Sequence, residues 1–194
     1  MSSYGTSFAA PQISAVLAQL CQRDSAVFTH QDMAKSILLA STVVTGIVSE
    51  PGPDSHTASQ PGTGAGILNA WNAYSVLNNG RCRGTSFAAN TGINATYTKT
   101  FSVSSKDSFV RVSLAWLADA RISVADHAIA DAKVTVEKLT LTVTAPDGTV
   151  WTSSAALSDM QLIAFVPNQT GVYTITVTRT SDLGTKIYFG ISWY

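Results

Sequence analysis

Ser7 is the first residue of the chain whose surroundings suggest chemistry. It lies in Gly5-Thr6-Ser7-Phe8-Ala9-Ala10-Pro11, and Ile13, Val16, Leu17 and Leu20 follow at the spacing of one helix face. A serine in the first turn of a helix sits among unpaired backbone N–H groups at the positive end of the dipole. That setting favours an oxyanion forming beside its Oγ. Gly5 permits a tight turn and leaves room for a substrate carbonyl, while Ala9 and Ala10 keep the surroundings small. Pro11 is read as falling early enough in the helix for its missing N–H to cost little. The plainer alternative is that Thr6 or Ser7 only caps a helix. Six of the same letters return as GTSFAA at 84–89. There Asn90, Thr91 and Gly92 follow where a helix would need apolar residues, so that copy is expected to be a loop with Ser86 solvated.

A serine hydroxyl needs a base to take its proton, and the base needs a carboxylate to orient it. The chain holds three histidines. His30 is expected on the polar side of a helix start, His56 in a Pro/Ser-rich loop, and His127 in an insertion among strands. Each reads as a solvated histidine rather than a base. Asp119, Asp126 and Asp131 form a loose acidic cluster that reads as a solvated loop rather than a metal site. Cys21 and Cys82 suit either one bridge or two inert thiols, and the sequence does not choose.

The elements that must position these residues fall into two halves of different period. The first helix, uncharged before Arg23, belongs inside a larger body with protein on every side. A second helix is expected from a Thr29 cap, with Asp32 three residues on, through Met33, Ile37 and Leu38 to about Thr42. A Pro/Gly/Ser-rich loop at 50–66 and a short last helix from about Ile67 follow. From about Thr96 the period becomes two. Val110, Val112, Leu114 and Trp116 share a face, as do Leu139, Leu141 and Val143, and Tyr173, Ile175 and Val177. APDG at 145–148 and NQTG at 168–171 supply turns. The expected fold class is α+β: helices at 1–79, a linker at 80–95, and an antiparallel β-sandwich or jelly roll at 96–194.

Gly5-Thr6-Ser7-x-Ala9-x-Pro11 resembles the nucleophile motif of the subtilisin-like serine proteases. Its five fixed letters would arise by chance in a chain of this size with a probability on the order of 10⁻⁴ at average residue usage. The resemblance continues in order through FTHQDMAKSILLAST to GAGILNAWNAY, which is similar to the turn and final helix of the family's catalytic domain. It implies a secreted endopeptidase acting on polypeptides, with Ser7 as nucleophile and the Ser7 backbone N–H in the oxyanion hole. In that family the catalytic Asp and His and the oxyanion-hole Asn all precede the serine. Only six residues precede Ser7, so the triad is incomplete here and the chain by itself is expected to be inactive. The expected partner is an N-terminal part of the catalytic domain, or a second copy covering the same unmet surface.

The second half resembles the jelly-roll domain that follows the catalytic domain in a branch of that family. FVRVSLAWLAD, VEKLTLTVTAPDGTVW and TGVYTITVTR carry the likeness. Where the family has an acidic pair able to help hold calcium, this chain has Lys138 and Thr140. That exchange removes hard oxygen ligands and adds a competing cation, so calcium is not expected there and no metal or cofactor is assigned. Asn94-Ala95-Thr96 and Asn168-Gln169-Thr170 match the glycosylation pattern, a common coincidence in a Thr-rich chain.

Charged residues make up 12% of the chain and cancel to zero, which argues against nucleic acid or an anionic membrane as a partner. No Lys or Arg precedes the apolar run at 8–21, so it does not read as a signal peptide, and no stretch approaches the roughly 18 apolar residues of a span. The alternative to a protease segment is a stand-alone β-sandwich binding or structural module with a non-catalytic helical remnant.

Overall fold

The computed structural model describes residues 6–43, 65–106, 109–117, 120–123, 133–155 and 158–194. Among the described residues four helices come first: α1 (Thr6–Arg23), α2 (Ala26–Thr29), α3 (Gln31–Ala40) and α4 (Ala70–Asn78). Ten strands follow: β1 (Cys82–Phe87), β2 (Thr96–Val103), β3 (Val110–Trp116), β4 (Ala120–Ser123), β5 (Lys133–Val136), β6 (Leu139–Thr144), β7 (Val150–Ser153), β8 (Met160–Phe165), β9 (Gly171–Arg179) and β10 (Ile187–Trp193). Eight of them form two antiparallel sheets, β1-β10-β3-β8 and β2-β9-β6-β7, packed as a sandwich, while β4 and β5 pair as a separate ribbon.

The alternating faces meet in one core. Val110, Val112, Leu114 and Trp116 from the first sheet pack against Leu139, Leu141, Val143, Tyr173, Ile175 and Val177 from the second. Trp151, Phe165 and Tyr173 stack at one end of it, and Phe87, Phe189 and Tyr97 cluster elsewhere. At the rim Arg179 is completely buried and ion-paired with Glu137 and Asp182. Its guanidinium also donates to the carbonyls of Ala88, Ser181 and Thr185 and to Thr91 Oγ1. Glu137 in turn accepts from Ser181 Oγ and the Leu183 N–H. The two charges are therefore satisfied without water, as burial requires.

The first sheet is covered on its outer side as well. α3 lies across β10, β3 and β1, so β3 is buried on both faces, including Arg111, Ser113 and Ala115. The contact is close because Gly190 has no side chain: a Cβ there would lie 2.4 Å from the Met33 Cα. Ser113 Oγ donates to the Ser36 carbonyl at 2.7 Å, and the Ser36 and Ser192 hydroxyls lie 2.7 Å apart. These three serines are thus paired between helix and sheet. Lys35 on α3 reaches Asp159 ahead of β8.

Several expectations need correction. The segment 80–95, read as a linker, contains β1, the edge strand of the first sheet. Ser86 stands opposite Tyr188 and is half-buried. Thr29 does not cap α3: its Oγ1 bonds back to the Ala26 carbonyl within the single turn α2, and His30 takes the cap position without a side-chain bond. α4 starts at Ala70, where Asn69 accepts from the Asn72 N–H, three residues later than Ile67. Ile67 instead bridges to Val43. The expected loop at 50–66 lies outside the described residues except for its last two positions, as do His56, Asp119, Asp126, His127 and Asp131.

Candidate functional site

Ser7 is the second residue of α1, inside its first turn, and its side chain is exposed. The residues whose carbonyls would face the Ser7 and Phe8 N–H groups, 3 and 4, lie outside the described residues. Pro11 is the sixth residue of the helix rather than one of its first turn. The N–H it lacks is the one that would have bonded to the Ser7 carbonyl, so that carbonyl is left without its helical donor. The Ser7 carbonyl is therefore open, which departs from the expectation that Pro11 is nearly free of consequence.

Among the described residues the helix is anchored only at its far end. Leu20 is buried in the small helical core with Val27, Met33, Ile37, Ala73 and Val76, and Val16, Leu17 and Cys21 pack beside it. Residues 7–15 are exposed, including Phe8 at 56% and Ile13 at 36%. Leu20 is thirteen residues from Ser7, about 20 Å along the axis. The apolar stripe read from the sequence thus continues past the point where anything among the described residues covers it.

His30 is joined to the opposite end of α1 through α2. It stands against Gly84 of β1, and its Nδ1 lies 4.0 Å from Asp32 Oδ1. That is a histidine beside a carboxylate, yet the separation is too long for a hydrogen bond. Asp32 is buried and its Oδ2 has no partner among the described residues. Burial pushes its carboxyl above the usual range, against smaller opposing effects from backbone N–H groups and His30. The structure does not bring His30 to Ser7, and it assigns the pair to the seam between α3 and the sheet. No sequence signal announces this seam except Gly190, whose purpose becomes visible only with α3 in place.

Cys21 and Cys82 are both free, half-buried thiols packed against the helical core. Burial, with a smaller contribution from the negative charge of Asp24, raises the Cys82 thiol to about 11, so at neutral pH it is a protonated, unreactive group. Lys138 and Thr140 are half-buried at the start of β6, and Lys138 contributes its backbone N–H to Ser181 Oγ. No group of three or more His, Cys, Asp or Glu suited to a metal occurs among the described residues. Among them, no helix is long and apolar enough to cross a membrane.

No protein-family profile matches this sequence, and no curated protein matches it. The functional reading therefore rests on the Ser7 helix and on the residues around it.

Proposed function

We propose that Ser7 is the nucleophile of a subtilisin-like serine endopeptidase, and that this chain supplies the nucleophile helix and a following jelly-roll domain. The observation that carries the reading is the Gly5-Thr6-Ser7-x-Ala9-x-Pro11 pattern, with Ser7 exposed on α1 and its carbonyl without the N–H that Pro11 lacks. In the complete enzyme a histidine removes the Ser7 proton as Oγ attacks a peptide carbonyl. The resulting oxyanion rests on the Ser7 N–H and an asparagine, and an acyl-enzyme forms and is hydrolysed. The Asp, His and Asn come from polypeptide outside these 194 residues.

Two structural features support this reading. The uncharged, exposed half of α1 is a surface that a flanking sheet would bury, and until it is covered it favours self-association. The order β1-β10-β3-β8 and β2-β9-β6-β7, with β4-β5 as an excursion between the sheets, suits a jelly roll of two interleaved Greek keys. The action is on extracellular polypeptides, with no metal assigned to this chain.

The test is hydrolysis of a fluorogenic peptide by the isolated chain and by Ser7→Ala. Equal, background turnover is expected, since loss of the base costs several orders of magnitude. Turnover that disappears in Ser7→Ala would mean that a base lies within these residues and that no completing part is needed.

A further inference from the structure

The outer face of the second sheet is built almost entirely of threonine. Strand register sets them in rows: Thr96, Thr178 and Thr140; Thr98, Thr176, Thr142 and Thr152; Thr100, Thr174 and Thr144, with Val150 completing the last. Their neighbours in sequence, Tyr97, Phe101, Leu139, Leu141, Val143, Tyr173, Ile175 and Val177, point into the core, so all ten threonines point outward. Thr142 and Thr152 hydroxyl oxygens lie 3.5 Å apart, in keeping with side-by-side packing. The helices cover the first sheet, and no described element covers this one.

The face excludes most kinds of partner by its chemistry. The three rows themselves hold no Lys or Arg, and only Lys138 and Lys99 border them, too few to bind a polyanion. The face offers no aromatic or arginine anchor of the kind that dominates protein interfaces, nor an aromatic plate for a sugar ring. From strand spacing and rise it covers roughly 350 Å², well below the ~800 Å² per partner of a stable dimer. What remains is a two-dimensional array of one residue type, each offering a methyl and a hydroxyl, at about 4.8 Å across the strands and about 6.7 Å along them. Ice faces present rows of oxygen atoms at spacings of the same order.

We propose that this threonine face binds ice. The methyl groups order the water between the rows, the hydroxyls anchor it, and the ordered layer merges with the lattice. Neighbouring strands twist by roughly 20–25°, which limits the matched patch to a few rows. The expected activity is therefore slowed recrystallisation rather than a large depression of freezing. The proposal rests on strand register and is independent of Ser7.

The full chain is tested by slow growth of an ice hemisphere from dilute solution, with the protein fraction in ice compared with that of a non-binding globular control, and by recrystallisation in frozen sucrose. Wild type is expected to enrich in the ice and to slow grain growth. The pair Thr142→Lys and Thr176→Lys, at the centre of the array, is expected to fall to the control level. Trp71→Lys, on the exposed side of α4, should behave as wild type. If the lysine pair does not fold, Thr142→Ser with Thr176→Ser removes only outward methyls and should show the same fall in direction. Exclusion of wild type from ice, or full retention of the folded central variants, would overturn the proposal. So would binding of the wild type to powdered cellulose or chitin in place of ice.

Discussion

Gly190→Ala tests how the helices are fixed to the sandwich. The added methyl would lie 2.4 Å from both the Met33 Cα and the Met33 N, and 2.6 Å from the Asp32 carbonyl carbon. These are backbone atoms, so no side chain can swing away. Ordinary contact begins at 3.4 Å, so α3 would have to rise by about 1 Å or tilt. Such a rise stretches both Ser113 Oγ to the Ser36 carbonyl and the Ser36–Ser192 contact, each worth about 1 kcal/mol. Overpacking itself adds about 1–3 kcal/mol. The expected total of about 3–5 kcal/mol is a large part of the 5–15 kcal/mol typical of a domain. Urea unfolding gives the loss, and hydrogen exchange in α3 locates it: faster exchange is expected there, with β6 and β9 unchanged at low urea. A loss within about 0.5 kcal/mol, with α3 protection unaltered, would refute this packing.

Glu137→Gln removes the fully buried one of the two carboxylates paired with Arg179 and should destabilise the fold in urea unfolding, by less than the roughly 3–5 kcal/mol of a buried charge left wholly uncompensated, because Asp182 stays in place. Cys82, with its thiol raised to about 11, should resist iodoacetamide at pH 8 in the native protein and react readily in denaturant, a difference read by peptide mass mapping. Asp32 is held above its ordinary value, so the folded state retains its proton longer than the unfolded state. Its contribution is most favourable below the unfolded carboxylate pKa and is lost as pH rises through the folded one. Asp32→Asn should therefore flatten the decline in stability above that unfolded value, measured by melting at a series of pH values.

The strands were legible where one face is buried and the other open. Leu139, Leu141 and Val143 alternate with threonines that remain half-exposed, as period two requires. β3 shows the same alternation in its letters, yet Arg111, Ser113 and Ala115 are buried because α3 covers them, a tertiary contact that no local pattern reports. β1 was hidden for a related reason. GTSF at 84–87 has no alternating apolar face and becomes a strand by pairing with β10 at the sheet edge. The Asn69 cap was readable in principle, since Asn is a favoured cap residue, but Ile67 drew the helix start toward the apolar run. The Ser7 motif was visible in the letters, while the opening of its carbonyl by Pro11 depends on Ser7 and Pro11 lying in one continuous helix. The threonines were equally visible, but their rows exist only through the register of β2, β9, β6 and β7.

The most direct measurement is reaction of the native protein, purified from its source cells, with a fluorophosphonate that modifies only activated serines, followed by peptide mapping. Modification of Ser7, absent after denaturation before the probe is added, is the expected result. An unmodified Ser7 in folded native protein, under conditions where a known subtilisin is fully labelled, would contradict its assignment as the nucleophile.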